Sequence, residues 1–151
     1  MTTDEAFNEL LVKLFKDITE IEGRELVTEE FHDITYNDFH IIEGIGTKEA
    51  KTMTGIAKSM NVTTGTMTKA IEGLTEKGYV TRERSKEDKR IVFISLTEKG
   101  KRAYEHHEAF HNRMISSMKN SLSREELTVL AHSMETLTNF FQEVYEENEK
   151  K

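Results

Sequence analysis

The sequence predicts a mainly α-helical fold carrying one small β-hairpin, and three observations predict it. No proline interrupts the 151 residues, and Lys, Glu, Leu, Met and Thr dominate, a composition that favours long helices. Apolar residues recur at steps of three and four over several stretches of the chain. Among those stretches lie two β-leaning runs, residues 79–84 and 90–96, split by the charged loop 85–89.

Taken in order, Phe7, Leu10, Leu11, Leu14, Phe15, Ile18 and Ile21 line one face of a first amphipathic helix over residues 4–26. After the polar stretch 28–33, Thr35 caps a second helix whose Phe39, Ile42 and Ile45 face inward and which ends near Gly44 and Gly46. A connector over 47–52 follows. Residues 53–74 then carry the spacing of a helix-turn-helix: Ile56, Met60, Val62, Met67 and Ala70 are apolar, with small Ala57 where the helices cross. Asn61 takes the turn, Thr63 caps the second helix of the pair, and Lys77-Gly78 closes it. In the hairpin, Val92, Ile94 and Leu96 share a face. Thr97 caps a long helix to about Asn120, and Ser123 with Glu126 forms a capping box that opens the last one. There Leu127, Leu130, Met134, Leu137, Phe141 and Val144 make a coiled-coil seam. A helix-turn-helix followed at once by a β-hairpin is a winged helix-turn-helix. The expected organisation is one unit over 1–151, with a DNA-binding lobe over 35–100 and dimerisation helices over 4–26 and 101–149.

Composition narrows the function. With no cysteine there is no disulfide, Cys-based metal site or thiol nucleophile, which suits a reducing cytoplasm. Residues 1–30 mix acids and bases and hold no continuous apolar run, so neither a signal peptide nor a membrane span is expected. The net charge of −7 argues against nucleic acid until its distribution is considered. Residues 69–102 carry ten Lys/Arg against six Asp/Glu, a local +4, while the rest carries 11 against 22, or −11. A basic region sits in an acidic body.

The wing text SKEDKRIVFISLTEKG, with Asp88, Arg90, the β-run 91–96, Thr97 and Gly100, resembles the wing signature of the MarR family. The resemblance extends over the chain in the order of its elements: two helices, the DNA-reading pair, the wing, then two long dimerisation helices. FHIIEGIG, NVTTGTMTKAIEGLTEKGYV and HHEAFH are similar, within that family, to the fatty-acid-biosynthesis repressors of Gram-positive bacteria. That resemblance implies a repressor whose corepressor is a long-chain acyl-acyl-carrier protein.

The residues also state their own chemistry. On the recognition helix Met67, Ala70, Ile71 and Leu74 define the buried side, so Gly65, Thr68, Lys69 and Glu72 point outward, flanked by Thr63, Thr64 and Thr66 near the N-terminus. Threonine hydroxyls bond phosphates or base edges, Gly65 lets backbone approach closely, and the helix N-terminus favours anions. Arg90 suits a narrow minor groove, with Asp88 holding its guanidinium, while Arg82, Arg84, Lys86 and Lys89 are assigned to phosphates or to balancing Glu83 and Glu87. The stripes of the first and last helices predict a homodimer, the alternative for the seam being packing within its own subunit; the two recognition helices of a dimer, about 34 Å apart, require a palindromic duplex.

His107-Glu108-Ala109-Phe110-His111 matches the H-E-x-x-H pattern of zinc hydrolases, but no separate substrate-binding domain surrounds it, so no enzyme is expected. A regulatory zinc site is the alternative. Some MarR-family repressors resemble this chain in joining a second-helix histidine to a His-x-x-x-His pair on the fifth; His40, His107 and His111 match, with Glu22 as a fourth ligand. Polar lining of a dimer interface accounts for the same histidines. For an acyl chain, Phe15, Ile18, Phe39 and Phe110 are candidate lining residues, and core packing accounts for each equally well.

Overall fold

The computed structural model describes residues 1–150. A helical run, α1, opens the chain in three parts: an α-turn Thr3–Ala6, a π-turn Phe7–Leu11 and an α-helix Val12–Leu26. Thr2 starts it with a capping box: its side chain accepts from the Glu5 N–H, and the Glu5 carboxylate accepts from the Thr2 N–H at 2.8 Å. The expected limits hold, but the single α-helical geometry does not. The π-turn carries Phe7, Leu10 and Leu11, and nothing in their spacing announces it.

Helix α2, Tyr36–Ile45, begins with a Thr35–Asp38 capping box and ends at Gly46, whose φ of +73° only glycine adopts freely. Its Phe39, Ile41, Ile42 and Ile45 are all buried. Strand β1, Lys51–Thr52, lies inside the segment expected to be a connector and pairs with the later wing strand, Lys51 opposite Ile94 and Thr52 opposite Phe93. Two residues are too few to show a period of two.

Helices α3, Met53–Ser59, and α4, Thr64–Glu76, form the helix-turn-helix. Both end in the same way. Asn61 at φ +56° lets its N–H reach Lys58 O at 3.2 Å and the Val62 N–H reach Ala57 O at 3.1 Å. Gly78 at φ +86° repeats the pattern, with bonds to Thr75 O from its own N–H and to Leu74 O from the Tyr79 N–H. These left-handed caps satisfy carbonyls that a helix end leaves orphaned. Val62, expected on the apolar side, is 39% exposed because it lies beyond the cap.

Strands β2, Val80–Arg84, and β3, Val92–Leu96, complete a three-stranded antiparallel sheet in the order β1-β3-β2. The hairpin is shorter than expected at both starts. Tyr79 sits at the helix cap, and Arg90 and Ile91 belong to the turn. Helix α5, Glu98–Ser121, starts from Thr97, whose Oγ1 accepts from the Gly100 N–H at 3.1 Å. Helix α6, Arg124–Glu149, opens with the expected Ser123–Glu126 capping box.

The chain packs as two compact units that divide after Phe110. In the first, Leu26, Phe31, Phe39, Ile42, Ile56, Met67, Ile71, Leu74, Tyr79 and Ile94 form one apolar core beneath the helix-turn-helix and sheet. In the second, no residue from 111 to 150 is buried, although α6 presents Met134, Leu137, Phe141 and Val144 along one stripe.

Candidate nucleic-acid interface

Helix α4 is set by its buried side. Met67, Ile71 and Leu74 are each at most 2% exposed, spaced by four and three, and they fix which side chains face solvent. Thr64, Gly65, Thr66, Lys69 and Glu72 are exposed and Thr68 half-buried, as the spacing predicts for the outward side, whereas Ala70, expected on the buried side, is only half-buried. The threonines are not equivalent. Thr63 Oγ1 accepts from the Thr66 N–H at 3.1 Å and donates to Thr66 Oγ1 at 2.9 Å, and Thr68 Oγ1 donates to Thr64 O at 2.8 Å. The protons of Thr63 and Thr68 are thus spent inside the helix, leaving lone pairs that suit base N–H donors rather than phosphates.

The wing supplies the second part. Arg82 and Arg84 lie opposite Ile94 and Val92 across β2–β3, and the turn is closed by Ser85 N–H to Ile91 O at 2.8 Å and Ile91 N–H to Asp88 O at 3.0 Å. Within it the Arg90 guanidinium forks onto one carboxylate, Nε to Asp88 Oδ1 and Nη2 to Asp88 Oδ2, both at 3.1 Å. The Arg90 N–H adds a bond to Oδ1 at 3.0 Å. This pairing holds the Asp88 carboxyl below its usual range and pushes the Arg90 pKa up. The Arg90 side chain is 91% exposed, so a fixed cationic plane projects from the turn.

Lys86, Lys89 and Arg84 are exposed beside it. Arg82 stands 3.9 Å from Glu72 of α4, tying the wing to the recognition helix rather than balancing Glu83 or Glu87.

The four candidate acyl-lining residues separate by environment. Phe39 is fully buried with its ring edge-on to Phe31 at 6.1 Å, Phe110 is buried, Ile18 half-buried, and Phe15 60% exposed.

The histidines expected as alternative ligands fall partly together. His107, 2% exposed, lies with Nε2 2.5 Å from Glu22 Oε1, while the Tyr36 hydroxyl donates to Glu22 Oε2 at 2.8 Å. Burial and that bond push the Tyr36 pKa up to about 12. Glu43, which sequence reasoning missed, puts Oε2 3.6 Å from His107 Nδ1 and 3.7 Å from His40 Nδ1. Its signal was available: it follows His40 by three residues on the same helix, where side chains share a face. One ligand atom from each of His40, Glu43 and His107 lies within 4.8 Å of the others. His111 belongs to the second unit. Glu108, the base that an H-E-x-x-H hydrolase needs, is exposed.

A capped recognition helix, a three-stranded wing and an outward arginine fork define a winged helix-turn-helix protein. Residues 34–92 match the family model described as MarR family. FabT of Streptococcus pneumoniae, solved in complex with DNA, superposes with a TM-score of 0.88 at 32% identity, covering 93% of this chain and 98% of that one. The regulator SarZ of Staphylococcus haemolyticus is 39% identical over 69 residues, 46% of this chain and 47% of SarZ. YpoP of Bacillus subtilis, a transcriptional regulator described as uncharacterised, is 35% identical over 97 residues, 64% of this chain and 66% of YpoP. The aligned part thus spans about half of SarZ and two-thirds of YpoP. The chain belongs to the MarR family of transcriptional regulators, which are not enzymes, and the hydrolase reading of His107, Glu108 and His111 is set aside.

Proposed function

We propose that the chain is a cytoplasmic, homodimeric repressor of fatty-acid-biosynthesis genes that binds palindromic operator DNA, with long-chain acyl-acyl-carrier protein as corepressor. The observation that carries this reading is the likeness, at 32% identity over nearly the whole chain, to an S. pneumoniae FabT solved on DNA. The exposed surface of α4 and the Arg90 fork support its DNA-binding part independently, because they offer the donors and the positive charge that a duplex requires. Thr64, Thr66 and Lys69 meet the major groove with Gly65 allowing close approach, and Thr63 and Thr68 accept from base edges. Arg90 enters the minor groove with Asp88 as its brace, and Arg82, Arg84, Lys86 and Lys89 meet phosphates.

A second copy covers the exposed stripes of α1, including Phe7, Leu10, Leu14 and Phe15, and of α6. The acyl chain is received among Phe15, Ile18, Phe39 and Phe110. Because Phe39 is fully buried, entry of an acyl chain requires its ring to move, and the ligand acts by favouring the arrangement in which it has moved. Among the described residues no helix is long and apolar enough to cross a membrane.

One observation favours a second reading, a zinc-responsive repressor: the convergence of His40, Glu43 and His107, with Glu22 on the other side of the His107 ring. Titrating labelled promoter DNA with the protein alone, with long-chain acyl-carrier protein, and with zinc or a chelator separates the two. Tightening by the acylated carrier supports the first reading and tightening by zinc the second. Absence of DNA binding under every condition overturns both.

A further inference from the structure

The three carbonyls that follow the recognition helix, those of residues 77–79, are held from Thr97 and the first turn of α5. The Lys77 carbonyl accepts from Lys99 Nζ at 3.4 Å, the Gly78 carbonyl from Thr97 Oγ1 at 2.6 Å, and the Tyr79 carbonyl from the Thr97 N–H at 3.0 Å. Gly100 completes the approach, since a Cβ there would lie 2.1 Å from Tyr79 O.

Tyr79 itself is fully buried, and its hydroxyl donates to Asp33 Oδ1 at 2.6 Å in the segment between α1 and α2. Lys99 bridges the two. Its ammonium is 3.8 Å from Asp33 Oδ2 and 4.5 Å from the centre of the Tyr79 ring. Phe31, two residues before Asp33, packs on Tyr79 at 6.4 Å, on Phe39 at 6.1 Å and on His106 at 5.4 Å.

The geometry points to Asp33, Tyr79 and Lys99 as positioning residues for operator recognition: a three-part joint that fixes the tilt of α4 against α5 and the α1–α2 segment. None of these contacts involves a side chain assigned to DNA. The joint acts through the backbone of residues 77–79, and it rests on the DNA-binding reading above. Direct base readout needs the recognition helix held within a narrow range of angles, whereas phosphate attraction tolerates tilt. Loosening the joint therefore lowers sequence discrimination while leaving sequence-independent binding in place.

The test uses the full-length protein and two labelled duplexes: a palindrome recovered by in-vitro selection with the unmodified protein, and a scrambled duplex of equal composition. Tyr79→Phe keeps the buried ring and removes only the hydroxyl. Its affinity for the palindrome should fall about tenfold with the scrambled duplex unchanged. Asp33→Asn keeps an acceptor for the Tyr79 hydroxyl and should lose less than Tyr79→Phe. Lys99→Gln, at a partly exposed position, should lose two- to threefold, roughly, and tests the joint even if Tyr79→Phe fails to fold. Equal weakening on both duplexes, or none on either, overturns the inference. Should the unmodified protein itself recover no palindrome, the DNA-binding reading has failed instead, and the joint falls with it.

Discussion

Two regions of this chain reach opposite settlements with water. Every buried side chain among the described residues lies between Glu22 and Phe110, where helix caps, a small sheet and a contiguous apolar core satisfy one another. From His111 to residue 150 nothing is buried, yet α6 carries large apolar residues at 38–66% exposure, as does the first half of α1. A region that hides its own apolar surface folds by itself, while one that exposes a heptad stripe is completed by a partner. The difference predicts which substitutions depend on protein concentration.

The largest effect is expected in the uncovered region. Leu137→Glu places a charge on the α6 seam, where Leu137 is 47% exposed in the single chain. Burying that carboxylate between two copies costs about 4 kcal/mol, on the order of a thousandfold in the dimer dissociation constant. Sedimentation equilibrium should show monomer at micromolar concentration, and operator binding should be lost with it. An unchanged dimer would mean that the seam is not the interface, and the contrast between the regions would need another explanation.

Next comes a substitution inside the self-contained region. Gly100→Ala drives a methyl group to 2.1 Å from Tyr79 O, a backbone atom that cannot rotate away. We expect about 3 kcal/mol of destabilisation, read by urea unfolding. Its size should not change with protein concentration once association is accounted for, which distinguishes it from Leu137→Glu.

Arg90→Ala should leave both settlements intact. The side chain is 91% exposed and its only fork is onto Asp88 of the same turn, so thermal stability should stay within about 0.5 kcal/mol. Operator affinity should fall by about 1–3 kcal/mol at fixed salt, measured by fluorescence anisotropy. If stability fell and binding did not, the wing would be a structural brace rather than a contact.

Legibility in the sequence follows the same division. Caps are local chemistry, so Thr35, Thr63, Thr97 and the Ser123–Glu126 box all stand where expected, as do the two left-handed turns at Asn61 and Gly78. The Asp88–Arg90 brace was readable for the same reason, being two residues apart. What escaped is set by packing at a distance. Strand β1 exists because β3 has a free edge for it, and the Val62 side chain was misplaced because the cap geometry at Asn61, not periodicity, decides its direction. Glu43 joins His107 across 64 positions of sequence, and Asp33 joins Tyr79 across 46; no local spacing predicts either pairing.

The smallest predicted effect tests whether the covered region is as locally determined as its caps imply. Asn61 sits at φ +56°, a conformation that costs an L-residue roughly 1 kcal/mol and that asparagine tolerates better than alanine. Asn61→Ala should therefore destabilise by about 1 kcal/mol, and Asn61→Gly should be neutral or stabilising by a few tenths, because glycine adopts the left-handed geometry without a Cβ penalty. Both changes lie at the turn between α3 and α4, so their effect on urea midpoints should be the same at any protein concentration. If Asn61→Gly were instead the more damaging of the two, the asparagine side chain would be contributing something beyond backbone geometry. The agreement between cap chemistry and fold at this turn would then be accidental.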